Sequence, residues 1–480
     1  MNVMALTGPL RPLDLSQSWI MSDQTGVESS EPEYDAIVIG AGVIGGAVAY
    51  ELARRGHRTL SIDKGPGAGY GSTSASSAVI RFSYSTETGV AAAWDGMHYW
   101  RNWAEYLGAP DESGYAKLVQ CGMALLIQGE EGHHNRVMPL WDRLEVPYQY
   151  WDRAELEQRV PTFDLDLYGP PSRSTDDDFW KEAHGTMVGA LFSPDAGYVD
   201  DPQLAAHNLQ RAAEAQGGEF RFRTEVVGFI TRSVGPGHAD GAGLEVGDRV
   251  TGVELADGST VTAKVVVNVG GPHSSQINKL AGVYDAMNIK TASIRHETYH
   301  MPGPADMDFT ADGFAVADDD SGIYFRPQPG NNILVGTTDP PCDPKVPVGP
   351  DEELGEVTSD GWETNTMRIN KRMPTLGVPL PHEKKGVVDR YDKSDDWIPI
   401  YDRTDLDGFY VAIGTSGNQF KNAGVAGHMM AELIEAVEGG HDHDAEPLQV
   451  TARYTGLNLD MATFRRNRQI NPSSSMSVHG

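Results

Sequence analysis

The sequence predicts an α/β fold, in which a parallel sheet flanked by helices is joined to a second region of β character. Two observations carry this. Asp35–Ile39 (DAIVI) is short and rich in β-branched residues, as a buried parallel strand is, and it runs directly into Gly40-Ala-Gly42-Val43-Ile44-Gly45. Beyond residue 280, Ile294–His300, Gly322–Pro327 and Asn332–Thr338 alternate apolar and polar residues, the pattern of strands with one buried face.

After the glycine loop, Gly46–Arg55 reads as a helix closed by Gly56, and Arg58–Ile62 as a second strand ending at Asp63. Gly40 permits the tight turn, Gly42 lets a pyrophosphate approach the backbone, and Gly45 lets the helix lie close to the strand. Val43 and Ile44, between these glycines, count among the cofactor-binding positions, and the helix that follows offers unpaired N–H groups and a positive dipole end to phosphates. Asp63 falls 18 residues after Gly45, where a carboxylate accepts both ribose hydroxyls of an adenosine and repels a 2′-phosphate. The unit is Rossmann-like and binds a dinucleotide, with NADP disfavoured; Lys64 follows at its rim. The motif alone does not separate NAD from FAD. The next stretch, Gly65–Ser77, is a small-residue loop in which Gly71 offers bare backbone and Ser72, Thr73, Ser74, Ser76 and Ser77 offer donors. A flexible linker is one reading of it; a loop running along an extended cofactor is the other.

Composition narrows the function classes. The 480 residues suffice for about three domain-sized units, or two large ones. The formal charge, 38 − 68 = −30, repels nucleic acid and anionic membrane surfaces. Cys121 and Cys342 are distant and unpatterned, which excludes a disulfide framework and a cysteine-based zinc site and suits a reducing, cytoplasmic compartment. No apolar stretch reaches the ~18 residues of a transmembrane helix. Residues 1–33 carry one basic residue, Arg11, and read as a flexible leader; residues 469–480 read as a flexible tail.

Six landmarks occur in one order. They are Ile37–Asp63; Gly71–Tyr84 (GSTSASSAVIRFSY); Ser193–Asp200 (SPDAGYVD) with Pro202; Thr224–Val227 with Val265–Pro272 (VVVNVGGP); Tyr324–Pro327 with Leu334–Gly336; and Gly414–Lys421 (GTSGNQFK). In this order the chain resembles the FAD-dependent amine and amino-acid oxidoreductases of the D-amino-acid-oxidase superfamily, a group that includes sarcosine oxidase, glycine oxidase and dimethylglycine dehydrogenase. The resemblance implies a Rossmann-like FAD-binding domain and a second domain whose antiparallel sheet covers the flavin. It assigns 34–90, 184–280 and 389–468 to the first and 91–183 and 281–388 to the second. Within these, Thr88–Leu107, Asp201–Gln216 and Ala423–Val437 read as helices. Phe220–Val227, Lys264–Val269 and Gly408–Ile413 read as strands, and Gly252–Leu255 with Val261–Ala263 as a hairpin.

The resemblance also assigns residues. Backbone at Val226 would meet adenine. Gly270, Gly271, Gly414, Ser416, Gly417, Asn418, Gln419, Phe420 and Lys421 would line the flavin. Arg81 and Lys421 would clamp a substrate carboxylate beside Tyr84, with Tyr324 and Arg326 as further substrate contacts. By their spacing His296 and His300 share a strand face; they read as structural histidines, with one of them lining the substrate pocket as the alternative. FAD is expected to be non-covalent: Ser74, Ala75 and Ser76 stand where dimethylglycine dehydrogenase has its linking histidine, and Asp389 lies near the place of the linking cysteine of sarcosine oxidase. Leu334 stands where sarcosine oxidase has the lysine that promotes reaction with oxygen, so oxygen and another electron acceptor both stay open. No metal site is expected. His441–Asp444, His133-His134, Asp176–Asp178 and Asp318–Asp320 read as solvated turns. The expected activity is oxidation of the C–N bond of a small-molecule amine, amino acid or N-alkyl amino acid by hydride transfer to flavin N5, giving an imine that hydrolyses. Oxidation of a 2-hydroxy acid, or a role as a flavoprotein subunit without independent activity, are the alternatives. Monomer and homo-oligomer both stay open.

Overall fold

A computed structural model describes residues 31–233, 248–305, 307–377, 383–472 and 474–479. The expected leader lies almost wholly outside them. Among the described residues no helix is long and apolar enough to cross a membrane.

The strand Tyr34–Ile39 lies inside an eight-stranded sheet. Thr59–Ile62 and then Glu219–Arg221 pair parallel on one side, and Thr260–Asn268 pairs parallel on the other. Thr260–Asn268 is also flanked by antiparallel Asp248–Leu255 and by parallel Phe409–Ile413. The helix Val43–Ala53 is buried at every position because it lies between two other helices. Its small residues make that possible. A Cβ on Gly46 would stand 3.0 Å from Leu209 of Pro202–Ala215, and a Cβ on Gly427 of Ala423–Glu438 would stand 2.6 Å from the Ala47 carbonyl.

The second sheet also has eight strands, ordered Gly386–Ser394, Thr291–Pro302, Asn332–Thr337, Ile323–Gln328, Ala315–Asp318, Met123–Ile127, Gly189–Ser193 and Gln149–Asp152. It is antiparallel except where Ala315–Asp318 meets Met123–Ile127. Helix Ser359–Arg372, capped by the Thr358 side chain, packs Trp362 and Ile369 with Tyr299 and Phe325 in this domain's core.

Several expectations are corrected. Phe220–Val227 is two strands, because Arg223 takes a left-handed conformation (φ +52°) between Glu219–Arg221 and Val226–Ser233. Thr88–Leu107 is two helices, Glu87–Arg101 and Trp103–Leu107, and the first packs on the nucleotide-binding domain: Trp100 donates to the Lys421 carbonyl at 2.7 Å. The expected hairpin strand Val261–Ala263 and the strand Lys264–Val269 are one strand. The bounds at 184 and 389 cut across the second sheet, since Gly189–Ser193 pairs with Met123–Ile127 and Gly386–Ser394 pairs with Thr291–Pro302. Part of the expected flexible tail packs on the domain. Ser474 is buried with its hydroxyl on the Asp396 carbonyl at 2.6 Å, and Val478 and His479 line the central cleft.

One supposed solvated turn, Asp318–Asp320, is a buried ion-pair cluster, and a second, His441–Asp444, is partly buried. Asp318 and Asp320 are held by Arg372 at 2.8 and 3.0 Å, all three buried. His443 is fully buried, and Asp444 pairs with Arg466 at 2.9 Å. The sequence pattern missed both because the neutralising arginines lie at least 20 residues away in the chain.

Candidate active site

A cleft of about 1400 Å³, counted out to its open mouth, runs between the glycine loop and one face of the second sheet. At its inner end each glycine has a steric reason. Gly40 has φ +113°, and a Cβ there would stand 2.4 Å from the Val269 carbonyl oxygen. A Cβ on Gly45 would meet the Gly40 carbonyl oxygen at 2.0 Å. Gly42 offers no side-chain cap to the helix, and Gly42, Val43 and Ile44 line the cleft. Thr73 leans over this turn, accepting from Val43 N–H at 3.1 Å. A helix N-terminus with bare backbone in front of it is a cradle for a pyrophosphate.

The Asp63 carboxylate accepts from Ala41 N–H at 2.7 Å and Gly65 N–H at 2.6 Å, tying the two loops together with acceptor capacity to spare. Thr224 N–H donates to the Asp63 carbonyl at 3.0 Å, which brings the segment leading into Val226 alongside it. Lys64 turns to Asp351 and does not line the cleft. Ser72, Thr73, Ser76 and Ser77 line the cleft, whereas Ser74 folds back on the Gly71 carbonyl at 3.0 Å. The loop is thus a wall and not a linker. Gly271 also lines the cleft, with Gly270 packed behind Gly40.

The loop after Phe409–Ile413 is pinned by a residue that sequence reasoning missed. Buried Asp392 accepts from Gly414 N–H at 2.6 Å and from the Thr415 hydroxyl at 2.6 Å, and its carbonyl accepts from Ser416 N–H at 3.0 Å. Burial raises the Asp392 pKa, and these donors oppose that rise. Gly414 and Ser416 therefore anchor the loop, while Gly417, Asn418, Gln419, Phe420 and Lys421 face the cleft.

Arg81 and Lys421 meet at Tyr84. The Arg81 guanidinium lies 4.8 Å from the Tyr84 ring centre, and Lys421 Nζ donates to the Tyr84 hydroxyl at 3.0 Å and to the Asn418 carbonyl at 2.6 Å. The Tyr84 hydroxyl donates to the same carbonyl, and burial pushes its pKa up to about 12. Tyr84 does not line the cleft; it is the post that spaces the two basic groups. Arg81 and Lys421 are both buried and both face the cleft, and among the described residues neither has an ion-pair partner. Burial lowers both pKa values, and the Arg81 charge adds to the depression at Lys421.

Tyr324 lines the cleft with its hydroxyl 2.8 Å from Ser77 Oγ. Arg326 instead buttresses the loop, donating to the Ser77 carbonyl at 2.8 Å. His296 reaches the cleft and His300 does not. Period-two alternation places Val387, Asp389 and Tyr391 on the cleft face of their strand, opposite Thr298, His296 and Ile294. Burial raises the Asp389 pKa and lowers that of His296. Asp389 and Tyr391 could have been singled out by this alternation. His133, Asp319 and His479, which gather beside Arg81, carry no such signal. Leu334 is buried between His300 and Arg326, and the basic groups lining the cleft are Arg81, Arg390 and Lys421 among the described residues.

A family model, FAD dependent oxidoreductase (DAO), matches residues 35–433. The chain belongs to this family. The FAD dependent oxidoreductases similar to it include the glycine oxidase of Geobacillus kaustophilus, 24% identical over 85% of this chain and 95% of that one. The sarcosine oxidase subunit beta of Rhodobacter capsulatus is 24% identical over 85% and 86%. Among solved structures, the G. kaustophilus glycine oxidase superposes with a TM-score of 0.64 at 21% identity, covering 91% of this chain and 99% of that one. The L-proline dehydrogenase of P. horikoshii superposes with a TM-score of 0.65 at 22% identity, covering 85% and 94%.

FAD is the cofactor of the family, and the residues present fit it. Gly40, Gly42 and the opening of Val43–Ala53 would form the pyrophosphate cradle, Asp63 would meet the ribose, and the 71–77 and 414–421 loops would line the longer arm. Gly40→Ala is expected to abolish FAD retention, because its Cβ would collide with backbone. Asp63→Ala is expected to weaken it by roughly 1.5–3 kcal/mol, the contribution of a hydrogen bond to a charged group. Both effects are read as the flavin-to-protein absorbance ratio after gel filtration. Neither cysteine lines the cleft, so acid precipitation is expected to release the flavin into the supernatant; yellow colour in the washed pellet would show a covalent link.

Proposed function

We infer that the protein oxidises the C–N bond of an amino acid or N-alkyl amino acid held by its carboxylate. One observation carries this: Arg81 and Lys421 are two buried basic groups on the cleft wall, spaced by Tyr84, with no ion-pair partner among the described residues, since the Asp319 carboxylate beside Arg81 is bonded to His479. Leaving charge buried and unpaired is costly, so a site built this way is completed by an anion from solution. Bound FAD would supply the two-electron acceptor for the hydrogen on the carbon next to nitrogen, leaving an imine that water hydrolyses. The chain's own part is placement. Arg81 and Lys421 fix one end of the substrate, and Tyr324, His296 and Tyr391 on the sheet face confine the other. The glycine and sarcosine oxidase names of similar proteins support the same substrate class.

The test is anaerobic bleaching of the flavin by a panel of amino acids, N-methyl amino acids and 2-hydroxy acids. Bleaching by the amines and not by the hydroxy acids is the expected result. Bleaching by hydroxy acids alone would move the activity to alcohol oxidation, and no bleaching by any of them would point to a subunit without independent activity. Because the sheet presents no lysine to the cleft, the reduced protein is expected to react more slowly with oxygen than with an artificial acceptor dye. Stopped-flow reoxidation of the same sample by each acceptor checks this, and equal rates would remove the argument from Leu334.

A further inference from the structure

The segment 474–479 brings Val478 and His479 into the cleft wall at the residue that the carboxylate needs. The Val478 carbonyl accepts from Arg81 Nη2, while Arg81 Nη1 is already committed to Ser83, donating to its carbonyl at 3.0 Å and lying 3.3 Å from its hydroxyl. Three of the five guanidinium N–H donors are therefore in use, and the Val478 carbonyl holds one of the two on Nη2. The next residue locks the segment down. His479 Nε2 lies 2.9 Å from Asp319 Oδ1, and its ring packs at 4.6 Å against His133, which in turn contacts the Ser83 carbonyl at 3.0 Å. At its other end, Ser474 is pinned to the Asp396 carbonyl. Backbone carbonyl and substrate carboxylate are both acceptors, and they seek the same guanidinium edge.

We propose that segment 474–479 is a strap that competes with the substrate carboxylate for Arg81, so that substrate binds only when the strap has left. The strap thus acts as a built-in competitor that selects for ligands able to displace it: an anion gains two charge-assisted bonds at Arg81, whereas a neutral amine gains none. The proposal rests on the carboxylate reading of the cleft. Apparent affinity falls by the fraction of molecules in the open state, so a strap docked about 90% of the time weakens carboxylate binding about tenfold.

The experiment titrates the FAD-loaded protein with benzoate, and with benzamide as the neutral control, following the flavin absorption spectrum. The full chain is compared with a variant ending at Asn471 and with His479→Ala, which keeps the chain length and removes the lock on Asp319 together with the packing on His133. Benzoate is expected to bind the shortened chain about tenfold more tightly and His479→Ala by a smaller factor, with benzamide perturbing none of them. In the full chain, saturating benzoate is expected to speed amide hydrogen exchange across 474–479, read by mass spectrometry. Equal or weaker benzoate binding without the strap, or exchange there unchanged by bound benzoate, would overturn the competition. A spectrum unmoved by benzoate in every variant would instead remove the carboxylate site at Arg81, and the strap's role with it.

Discussion

Arg81→Ala and Lys421→Met are each expected to lower kcat/KM for a carboxylate-bearing amine substrate by roughly 10- to 150-fold. The range follows from about 1.5–3 kcal/mol for a hydrogen bond to a charged group, at about 1.36 kcal/mol per tenfold in rate. Arg81→Lys is expected to be nearly as costly, because a point charge does not replace the planar fork. If the pair only binds, KM rises and kcat holds. If it also aims the reacting C–H bond, kcat falls too, since misplacement by about 1 Å costs ~100-fold. An amine lacking the carboxylate is the control: poor in the wild type and little changed in the variants. Full activity of both variants with intact FAD content would place the anchor elsewhere, at Tyr324 first.

The two groups differ in their pH dependence. Burial and the Arg81 charge hold the Lys421 pKa well below the ordinary lysine value. An arriving carboxylate favours the charged ammonium, so binding above that lowered pKa takes up a proton. Carboxylate affinity is therefore expected to fall as pH rises through and beyond it, by up to about tenfold per unit. Lys421→Met is expected to flatten this profile, because Arg81 stays charged throughout. Benzoate titrations across the pH range, with proton uptake measured in the same samples, check the sign.

The second large effect is on stability. Arg372→Ala is expected to cost about 3–5 kcal/mol, since it leaves Asp318 and Asp320 buried without their counter-charge. It also takes donors from the carbonyls of Asp164 and Asp166. The Asp320 pKa is already raised, by burial first and by the Asp318 charge second. Without Arg372 the Asp320 carboxyl shifts further up and binds protons more readily in the folded than in the unfolded chain. The deficit is therefore expected to shrink as pH falls and to be full above that raised value. Thermal melts at pH 5 and pH 8 measure it. A triple variant, Arg372→Leu with Asp318→Asn and Asp320→Asn, is expected to regain much of the loss. Asp319 sits between these two carboxylates, so Arg372→Ala is also expected to loosen His479, linking this core cluster to the cleft mouth.

The nucleotide-binding unit was legible because its requirements are local. A positive φ at Gly40, a bare helix start at Gly42, and a carboxylate at the end of the next strand are conditions on neighbouring residues, so they appear as spacing in the chain. Strand positions were legible for the same reason, since period-two alternation reports a buried face without naming what covers it. Element ends were less so: Arg223 breaks a run of alternating aromatic and charged residues that reads on as one strand, because the chain must turn there to leave one edge of the sheet for the other.

The site was legible in its members and not in its connections. Arg81, Tyr84 and Lys421 could be named from resemblance, but that Tyr84 spaces the other two depends on a contact across 337 positions. Asp392 holds the flavin-facing loop, Arg372 neutralises the 318–320 turn, and the 474–479 segment takes up the Arg81 fork. In sequence these look like an ordinary strand residue, an exposed helix cation and a loose tail. Charge burial and hydrogen-bond satisfaction are settled by whatever packing brings within about 3 Å, and no run of neighbouring residues encodes a partner hundreds of positions away. The sequence by itself determined the cofactor cradle; the tertiary structure decided which buried groups are paired, and which are left for a ligand.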